Sequence, residues 1–145
     1  MGEALAEAEL AFAKGEVPIG AVVVSDGKII ARAHNLRETT NNPTAHAEIL
    51  ALQEAARVTG GWRVLNSTLY VTLEPCPMCA GALVMARVDR LVYGAQDKKA
   101  GAVQSLMNIV QFPALNHQVE VVSGIREEEC SLILKKFFQR LRYKR

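Results

Sequence analysis

The stretch TLYVTLEPCPMCAGALVM, residues 68–85, places a strand directly before a helix. Its first six residues are rich in β-branched and aromatic side chains, as in a strand, and residues 78–85 are typical of a helix. Cys76 then falls at the helix cap and Pro77 at the first helical position, where the missing N–H costs nothing. Cys79 follows three residues later, so both sulfurs face the same way. Because a helix N-terminus favours thiolate over thiol, the pair is suited to binding a metal.

A second motif, HAE at residues 46–48, lies upstream of the cysteines. The sequence NPT at 42–44 predicts a turn and N-cap that open a helix over residues 45–52, which places His46 in its first turn. Side chains two residues apart on a helix do not share a face, so His46 and Glu48 cannot both point sideways at one metal. We therefore expect a site that lies beyond the N-terminal end of this helix.

Together the two motifs predict a catalytic zinc centre. His46, Cys76 and Cys79 offer three zinc ligands, and three protein ligands leave a fourth coordination position open, as in catalytic rather than structural sites. A water held there is acidic enough to be a hydroxide near neutral pH, and Glu48 could carry protons between it and a substrate nitrogen. H-x-E followed by P-C-x-x-C is the known signature of zinc-dependent nucleobase deaminases. We expect one Zn²⁺ per chain, with Glu48 as the catalytic acid and base.

Two other interpretations of the cysteines stay open at this point. A Cys-Pro-x-Cys that follows a strand and opens a helix also resembles a glutaredoxin-like redox site, but a redox site leaves His46 and Glu48 unexplained. A closed structural zinc would need a fourth ligand from His34, His117 or Cys130, and structural sites usually pair their ligands at short spacing on both sides. Only the catalytic zinc accounts for every residue of the two motifs.

The length and composition suit a small enzyme. We expect one domain over residues 1–145, and the 50% hydrophobic and 22% charged residues exclude a mainly disordered chain. No apolar run is long enough to span a bilayer, and the acidic N-terminus, MGEALAEAE, is unlike a signal peptide. The odd count of three cysteines, two of them in the metal motif, indicates a reducing cytoplasm. The third, Cys130, is predicted to be a packed core thiol.

Helices and strands are predicted to alternate along the chain. An apolar stripe predicts a first helix that ends at Gly15, and Asp26-Gly27 signals a hairpin between strands at 19–24 and 28–33. Two helix-separated strands after a hairpin imply a mixed sheet covered on both faces, hence a three-layer α/β/α domain. Beyond the strand and helix at 68–85, the pattern predicts a strand at 91–94, a helix at 103–110, a strand at 119–122 and a long terminal helix.

The whole chain, and not the metal motif alone, resembles the bacterial tRNA-specific adenosine deaminases of the cytidine deaminase superfamily. The metal motif is common to the superfamily, whereas the last two of five matching segments resemble the tRNA branch in particular. The resemblance implies a cytidine deaminase-like fold; one departure is a first helix that starts almost at Met1, some residues later than in the family. The five segments are residues 15–21 (GEVPIGA), 42–48 (NPTAHAE), 69–76 (LYVTLEPC), 94–101 (GAQDKKAG) and 115–117 (LNH).

The resemblance implies conversion of adenosine to inosine at the wobble position of a tRNA anticodon. By the same resemblance Asn35 would hold the ribose or the base, while Val17, Pro18 and Ala47 would line the pocket. From the residues alone, Asn35 is an ordinary turn residue that follows a strand. Members of the family are homodimers in which both subunits form the RNA surface, so the resemblance also implies a homodimer.

Two further residues take roles from the resemblance. Asp97 would contact the sugar of a neighbouring nucleotide, whereas a lone acid in a loop is otherwise a solvated surface group. His117 would lie in the substrate pocket or in an interface, and a hydrogen-bonded structural histidine is an equal alternative.

The distribution of charge gives modest support for a nucleic-acid partner. A net charge of only +2 excludes a general polyanion binder, but the positive residues are concentrated late in the chain. A solvated amphipathic helix would carry the same charges while Leu132, Leu134, Phe138 and Leu141 dock on the sheet. A deaminase of a free nucleobase, such as guanine or cytosine, is the nearest alternative function and would not need them. Phosphate contacts are predicted for Lys98, Lys99, Arg140, Arg142, Lys144 and Arg145.

Overall fold

Five strands form one mixed sheet in the computed structural model, which describes residues 1–144. The strand order is β2-β1-β3-β4-β5. β1 pairs antiparallel with both β2 and β3, whereas β4 runs parallel to β3 and β5 runs parallel to β4. The predicted mixed sheet is therefore confirmed. The strands are β1 (Gly20–Ser25), β2 (Lys28–His34), β3 (Ser67–Leu73), β4 (Arg90–Ala95) and β5 (Glu120–Val122).

The hairpin between β1 and β2 forms where the sequence predicts it. Asp26 and Gly27 have φ angles of 51° and 72°, and Ser25 pairs with Lys28 across the turn. Positive φ at both central residues is the geometry of a two-residue turn that matches the twist of the strands. Glycine and aspartate tolerate that geometry better than most residues do. The hairpin fixes the register of β1, whose other edge pairs with β3 ahead of the metal motif.

The helices cover the two faces of the sheet in two separate groups. α1 and α5 pack together, with the rings of Phe12 and Phe137 edge to face at 5.9 Å, and both contact the sheet. α3 and α4 contact each other and enclose the main apolar core against the sheet. The predicted three-layer α/β/α architecture is confirmed. The helices are α1 (Gly2–Ala13), α2 (Arg37–Thr40), α3 (Ala47–Thr59), α4 (Pro77–Met85) and α5 (Glu127–Tyr143). Within residues 1–144, none of them is long and apolar enough to cross a membrane.

The helix predicted at residues 103–110 is wrong, because this segment forms turns. The backbone N–H groups of Val103, Gln104 and Ser105 donate to one carboxylate oxygen, Glu74 Oε2, at 3.1, 2.8 and 2.9 Å. A side chain from the end of β3 thus accepts hydrogen bonds that would otherwise help to begin a helix. The apolar pattern of this segment indicates that part of it is buried, but not that it is helical.

The buried face of α5 also differs from the predicted one. Leu132 and Leu141 are 50% and 40% exposed, whereas Cys130, Ile133 and Phe137 are buried. The sulfur of Cys130 lies so close to Gly94 of β4 that a Cβ atom at position 94 would overlap it. This close approach sets the rotation of α5 on the sheet and turns a different stripe inward. The prediction that Cys130 is a packed core thiol is confirmed.

Candidate metal centre and substrate pocket

The three predicted metal ligands meet where two helices begin. His46 is the N-cap of α3, one residue outside the helix, and Cys76 is the N-cap of α4 with Pro77 at its first position. His46 Nδ1 lies 3.5 Å from Cys76 Sγ and 3.4 Å from Cys79 Sγ. Both cap residues have extended backbones, so their side chains leave the helix axes and converge. The site lies beyond the helix N-termini, as the spacing of the motifs predicts.

The arrangement of these ligand atoms fits a tetrahedral metal. One nitrogen and two sulfurs lie within 4.8 Å of one another, and they form the metal-binding group found among the described residues. Around a tetrahedral zinc with bonds of about 2.0–2.3 Å, ligand atoms lie about 3.3–3.8 Å apart. The donors therefore need little movement to accept such an ion. His34 and Cys130, considered above as a fourth ligand, lie elsewhere: His34 bonds to Glu7, and Cys130 packs under β4.

The pKa values of the two cysteine thiols are shifted in opposite directions, which suits metal binding. A hydrogen bond from the Cys79 thiol, together with the neighbouring His46, lowers the pKa of Cys76 to about 4. The same hydrogen bond and burial raise the pKa of Cys79. Cys76 is thus the ready thiolate of the pair. Because metal binding requires deprotonated thiols, an incoming ion would displace the proton that Cys79 retains.

Glu48 lies in the first turn of α3, beside the ligands but outside the metal-binding group. Its residue is only 5% exposed, and burial raises the pKa of its carboxyl group to about 7. A carboxyl group with a pKa near neutrality can both accept and release a proton under working conditions. This geometry matches the predicted role of Glu48 as a proton carrier rather than a ligand.

A cavity of about 600 Å³ opens onto the metal centre. Both motifs, the loop at residues 96–100 and two side chains of α5 form its walls. Of the residues predicted for substrate binding, Val17, Asn35, Ala47 and Asp97 are part of this lining, together with Lys98 and Lys99. The lining residues are Val17, Ile19, Asn35, Arg37, His46, Ala47, Glu48, Leu73, Glu74, Cys76, Gln96, Asp97, Lys98, Lys99, Ala100, Leu134 and Phe138.

Asn35 is buried and has a structural role at the edge of the cavity. Its Nδ2 donates to the carbonyl of Val17 at 3.3 Å, and its Oδ1 accepts from the backbone N–H of Arg37 at 3.3 Å. The side chain therefore ties together two segments that line the cavity. Its second amide hydrogen is not used by these bonds, so the predicted contact with substrate stays a prediction.

Some predicted residues lie outside the cavity wall. His117 Nε2 bonds to the carbonyl of Val88 at 2.7 Å, which is the structural alternative. Pro18 is not part of the lining, although its neighbour Val17 is. Arg140, Arg142 and Lys144 are exposed on the last turns of α5, where the guanidinium of Arg140 lies 5.6 Å from the ring of Phe12. Arg145 lies outside the described residues.

Sequence reasoning missed Phe138, Leu134 and Arg37 as cavity residues. Phe138 is 43% exposed although it is a large apolar side chain, and it borders the cavity from α5. Arg37 borders it from α2, with Nη1 at 3.4 Å from His46 Nε2. The only signal in the sequence was the aromatic pair at residues 137 and 138. Two consecutive residues of a helix cannot both face the core, so one of the two rings had to point elsewhere.

Comparison with known proteins identifies the class of enzyme that this fold and metal centre define. The MafB19-like deaminase family matches residues 1–142. The chain is 58% identical to a tRNA-specific adenosine deaminase of Bacillus subtilis (strain 168), over 100% of this chain and 90% of that protein. It is 50% identical to the protein of the same name from Haemophilus influenzae, over 98% and 83% of the two chains. The chain therefore belongs to the tRNA-specific adenosine deaminase family, which confirms the resemblance.

Solved structures agree with this assignment. A structure from a study of A-to-I editing by tRNA:A34 deaminases at the wobble position superposes with a TM-score of 0.89 at 48% identity. The match covers 92% of this chain and 96% of that one. A guanine deaminase from Bacillus subtilis superposes with a TM-score of 0.64 at 32% identity, over 98% and 90% of the two chains. The cytidine deaminase-like fold is thus shared by enzymes that act on different purines.

Proposed function

We propose that this enzyme converts adenosine to inosine at the wobble position of tRNA anticodons, with one zinc ion held by His46, Cys76 and Cys79. The observation that carries the proposal is a His-Cys-Cys donor set beside a buried glutamate, at the base of an open cavity. Family membership supports the substrate, since the relatives at 50–58% identity are named for tRNA adenosine. The reducing cytoplasm, where tRNA is found, is the proposed location.

Zinc would supply a Lewis acid that makes a water nucleophilic near neutral pH. Glu48 supplies the proton transfers. Its carboxylate takes a proton from the attacking water and delivers it to N1 of the adenine ring, which makes C6 electrophilic. It then takes the proton of the new hydroxyl group at C6 and passes it to the departing amine, so that C6 becomes a carbonyl and adenosine and water become inosine and ammonia. Its buried position in the first turn of α3, beside the three ligands, lets one side chain perform both steps.

The walls of the cavity suit a base taken out of a stack. Adenine in an anticodon loop must be splayed outward before its C6 can reach the metal centre. Val17, Ala47, Leu134 and Phe138 offer apolar surface to such a base. We assign Asn35, which borders the cavity, to the base or ribose, and Val17 to the apolar wall; Pro18, which is not itself part of the lining, would act through its neighbour Val17.

The mouth of the cavity carries the polar groups. We assign Asp97 to the sugar of a neighbouring nucleotide, and the exposed Lys98 and Lys99 to nearby phosphates. Each of these roles follows from the family resemblance and from the position of the residue on the cavity wall.

The substrate is tested with an anticodon stem-loop that carries adenosine at the wobble position. We expect inosine at that position, detected as an A-to-G change on sequencing. A stem-loop with the adenosine moved by one position serves as the control, beside free adenosine, guanine and cytosine. Turnover of a free base with no turnover of the stem-loop would assign the enzyme to small-molecule deamination instead.

The basic end of α5 gives a prediction for RNA binding. Replacing Arg140, Arg142 and Lys144 by glutamine should weaken stem-loop binding and flatten its dependence on log salt concentration by up to ~0.7–0.9 per lost phosphate contact. Fluorescence anisotropy at several salt concentrations measures both quantities. A variant with Lys28, Arg32 and Arg57 replaced by glutamine removes the same charge elsewhere. Equal salt slopes for the two variants would reduce the end of α5 to a solubilising surface.

We further propose that two copies associate through the face formed by α3 and α4. This face carries Trp62 and Met85, which are 56% and 67% exposed. The guanidinium of Arg87 lies 5.9 Å from the Trp62 ring, at the end of α4. Large exposed apolar side chains of this kind mark interaction surfaces. Three further large apolar side chains, in the loop after β4, are each about half exposed: Leu106, Met107 and Phe112.

The dimer makes a prediction that needs no substrate. Met85→Glu should shift the mass measured by light scattering from two chains to one, because a charge would be buried without a partner. Ile29→Glu, which alters a 37% exposed residue on the edge strand β2, is the control. A wild-type protein that stays monomeric at high concentration would refute the dimer.

A further inference from the structure

Glu74 is a buried carboxylate with an unusual set of partners. It is 2% exposed and lies between the end of β3 and the metal ligand Cys76. Its Oε2 accepts three backbone N–H groups, from residues 103, 104 and 105, at 2.8–3.1 Å. Its Oε1 accepts the backbone N–H of Asp97 at 3.1 Å and the hydroxyl of Ser105. One side chain thus satisfies five donors from a single loop.

This loop forms part of the cavity wall. Its residues 96–100 border the cavity, and turns follow over residues 102–105. The backbone N–H of Ala102 also donates to the carbonyl of Pro75 at 2.8 Å. A Cβ atom at Gly101 would overlap the carboxylate of Glu74, so the chain passes against it with no side chain between. The wall and the ligand segment are therefore joined at one point.

The carboxylate is held as an anion by neutral donors. Its five donors are four backbone N–H groups, from residues 97 and 103–105, and the hydroxyl of Ser105. Among residues 1–144, Glu74 takes part in no ion pair with lysine or arginine. Converging backbone N–H groups form this kind of anion site in many proteins. Here the anion belongs to the protein itself.

We propose that Glu74 is a positioning residue that fixes the substrate-binding wall at residues 96–100 relative to the metal ligand Cys76. The loop has no helix to support itself, and five of its hydrogen bonds converge on this one carboxylate. Substrate contacts at Asp97 and the two lysines then depend on Glu74, whereas proton transfer by Glu48 does not. The substrate part of this proposal rests on the proposed function.

Glu74→Gln is the decisive variant, because it keeps the size of the side chain and changes one acceptor oxygen into a donor. Whichever oxygen is replaced, at least two donors of the loop lose their acceptor. We expect KM for the stem-loop to rise about tenfold while kcat and zinc content change by less than about threefold. Hydrogen exchange at residues 97 and 103–105 should become about tenfold faster, with α3 unchanged. Glu120→Gln, at an exposed ion pair with Arg90, should change none of these.

Ser105→Ala supplies the same test in a milder form, since it removes one donor and no charge. It should move KM and loop exchange in the same direction by a smaller factor, and it decides the question if Glu74→Gln does not fold. The proposal is overturned if loop exchange is unchanged in both variants, or if kcat falls while KM stays constant. Hydrogen exchange is measured without substrate, so it tests the role of Glu74 independently of the proposed function. A wild-type enzyme that does not deaminate the stem-loop would refute the proposed function alone.

Discussion

Cys79→Ala is expected to empty the metal centre and abolish deamination. Cys79 is fully buried, and its sulfur is one of only three protein ligands that the described residues bring together. Two remaining ligands bind zinc far more weakly, and without the ion no water is activated. Zinc per chain, measured by mass spectrometry after gel filtration, and inosine formation should both fall to background. His46→Ala and Cys76→Ala should give the same result.

Cys130→Ala is the matched control, since it removes the third cysteine from a buried position that does not face the metal. It should keep full zinc and most of its activity. Metal binding is coupled to folding, so Cys79→Ala should also lower the melting temperature, and a chelator should lower that of the wild type but not of the variant. A Cys79→Ala protein with full zinc and full activity would show that the ligand assignment is wrong.

Glu48→Gln is expected to separate chemistry from binding. Glutamine keeps the shape of the buried side chain but cannot carry a proton between water, N1 and the leaving amine. We expect turnover to fall by a factor on the order of 10² or more, while zinc content and stem-loop affinity stay close to those of the wild type. Single-turnover assays give the rate, and anisotropy gives the affinity.

Glu54→Gln tests whether that loss belongs to position 48. Glu54 lies on the same helix, two turns further along, and pairs with Arg57 at the surface. Its replacement should leave turnover unchanged. If Glu48→Gln lost its zinc, Glu48 would be a ligand, and a closed structural site would become the better interpretation of the motif.

The convergence of His46, Cys76 and Cys79 could be predicted from the sequence because each of these residues follows a local rule. A proline after Cys76 marks the start of a helix at the predicted place, whereas the other helix starts at Ala47, two residues later than predicted, so that His46 is its N-cap and not part of its first turn. Helix starts point their first side chains outward, so two such starts on one sheet edge bring the ligands together. The hairpin at Asp26-Gly27 was predictable for a similar reason, since its turn depends on two adjacent residues.

Several lining residues could be predicted, but the shape of the loop after β4 and the orientation of α5 could not, because both depend on contacts between distant residues. The loop after β4 is held by Glu74. No residue near Val103 indicates that its N–H group donates to a carboxylate twenty-nine positions earlier in the chain. The orientation of α5 depends on the absence of a side chain at Gly94. Periodicity predicts which residues share a face of that helix, but the face that turns inward is decided by the sheet. The sequence pattern therefore did not predict that Phe138 borders the cavity.

The seating of Cys130 against Gly94 has a consequence for how the substrate range of such an enzyme can change. Leu134 and Phe138 form the part of the cavity wall that α5 contributes. Because α5 packs on the core, this part of the wall can change only through substitution of individual side chains. Residues 96–100 form another part of the wall, and they belong to a loop, outside the strands, in which the backbone of Asp97 donates to Glu74. We therefore expect that sequence changes which adapt the enzyme to a new anticodon occur mainly in that loop, and that the residues of α5 which line the cavity change less.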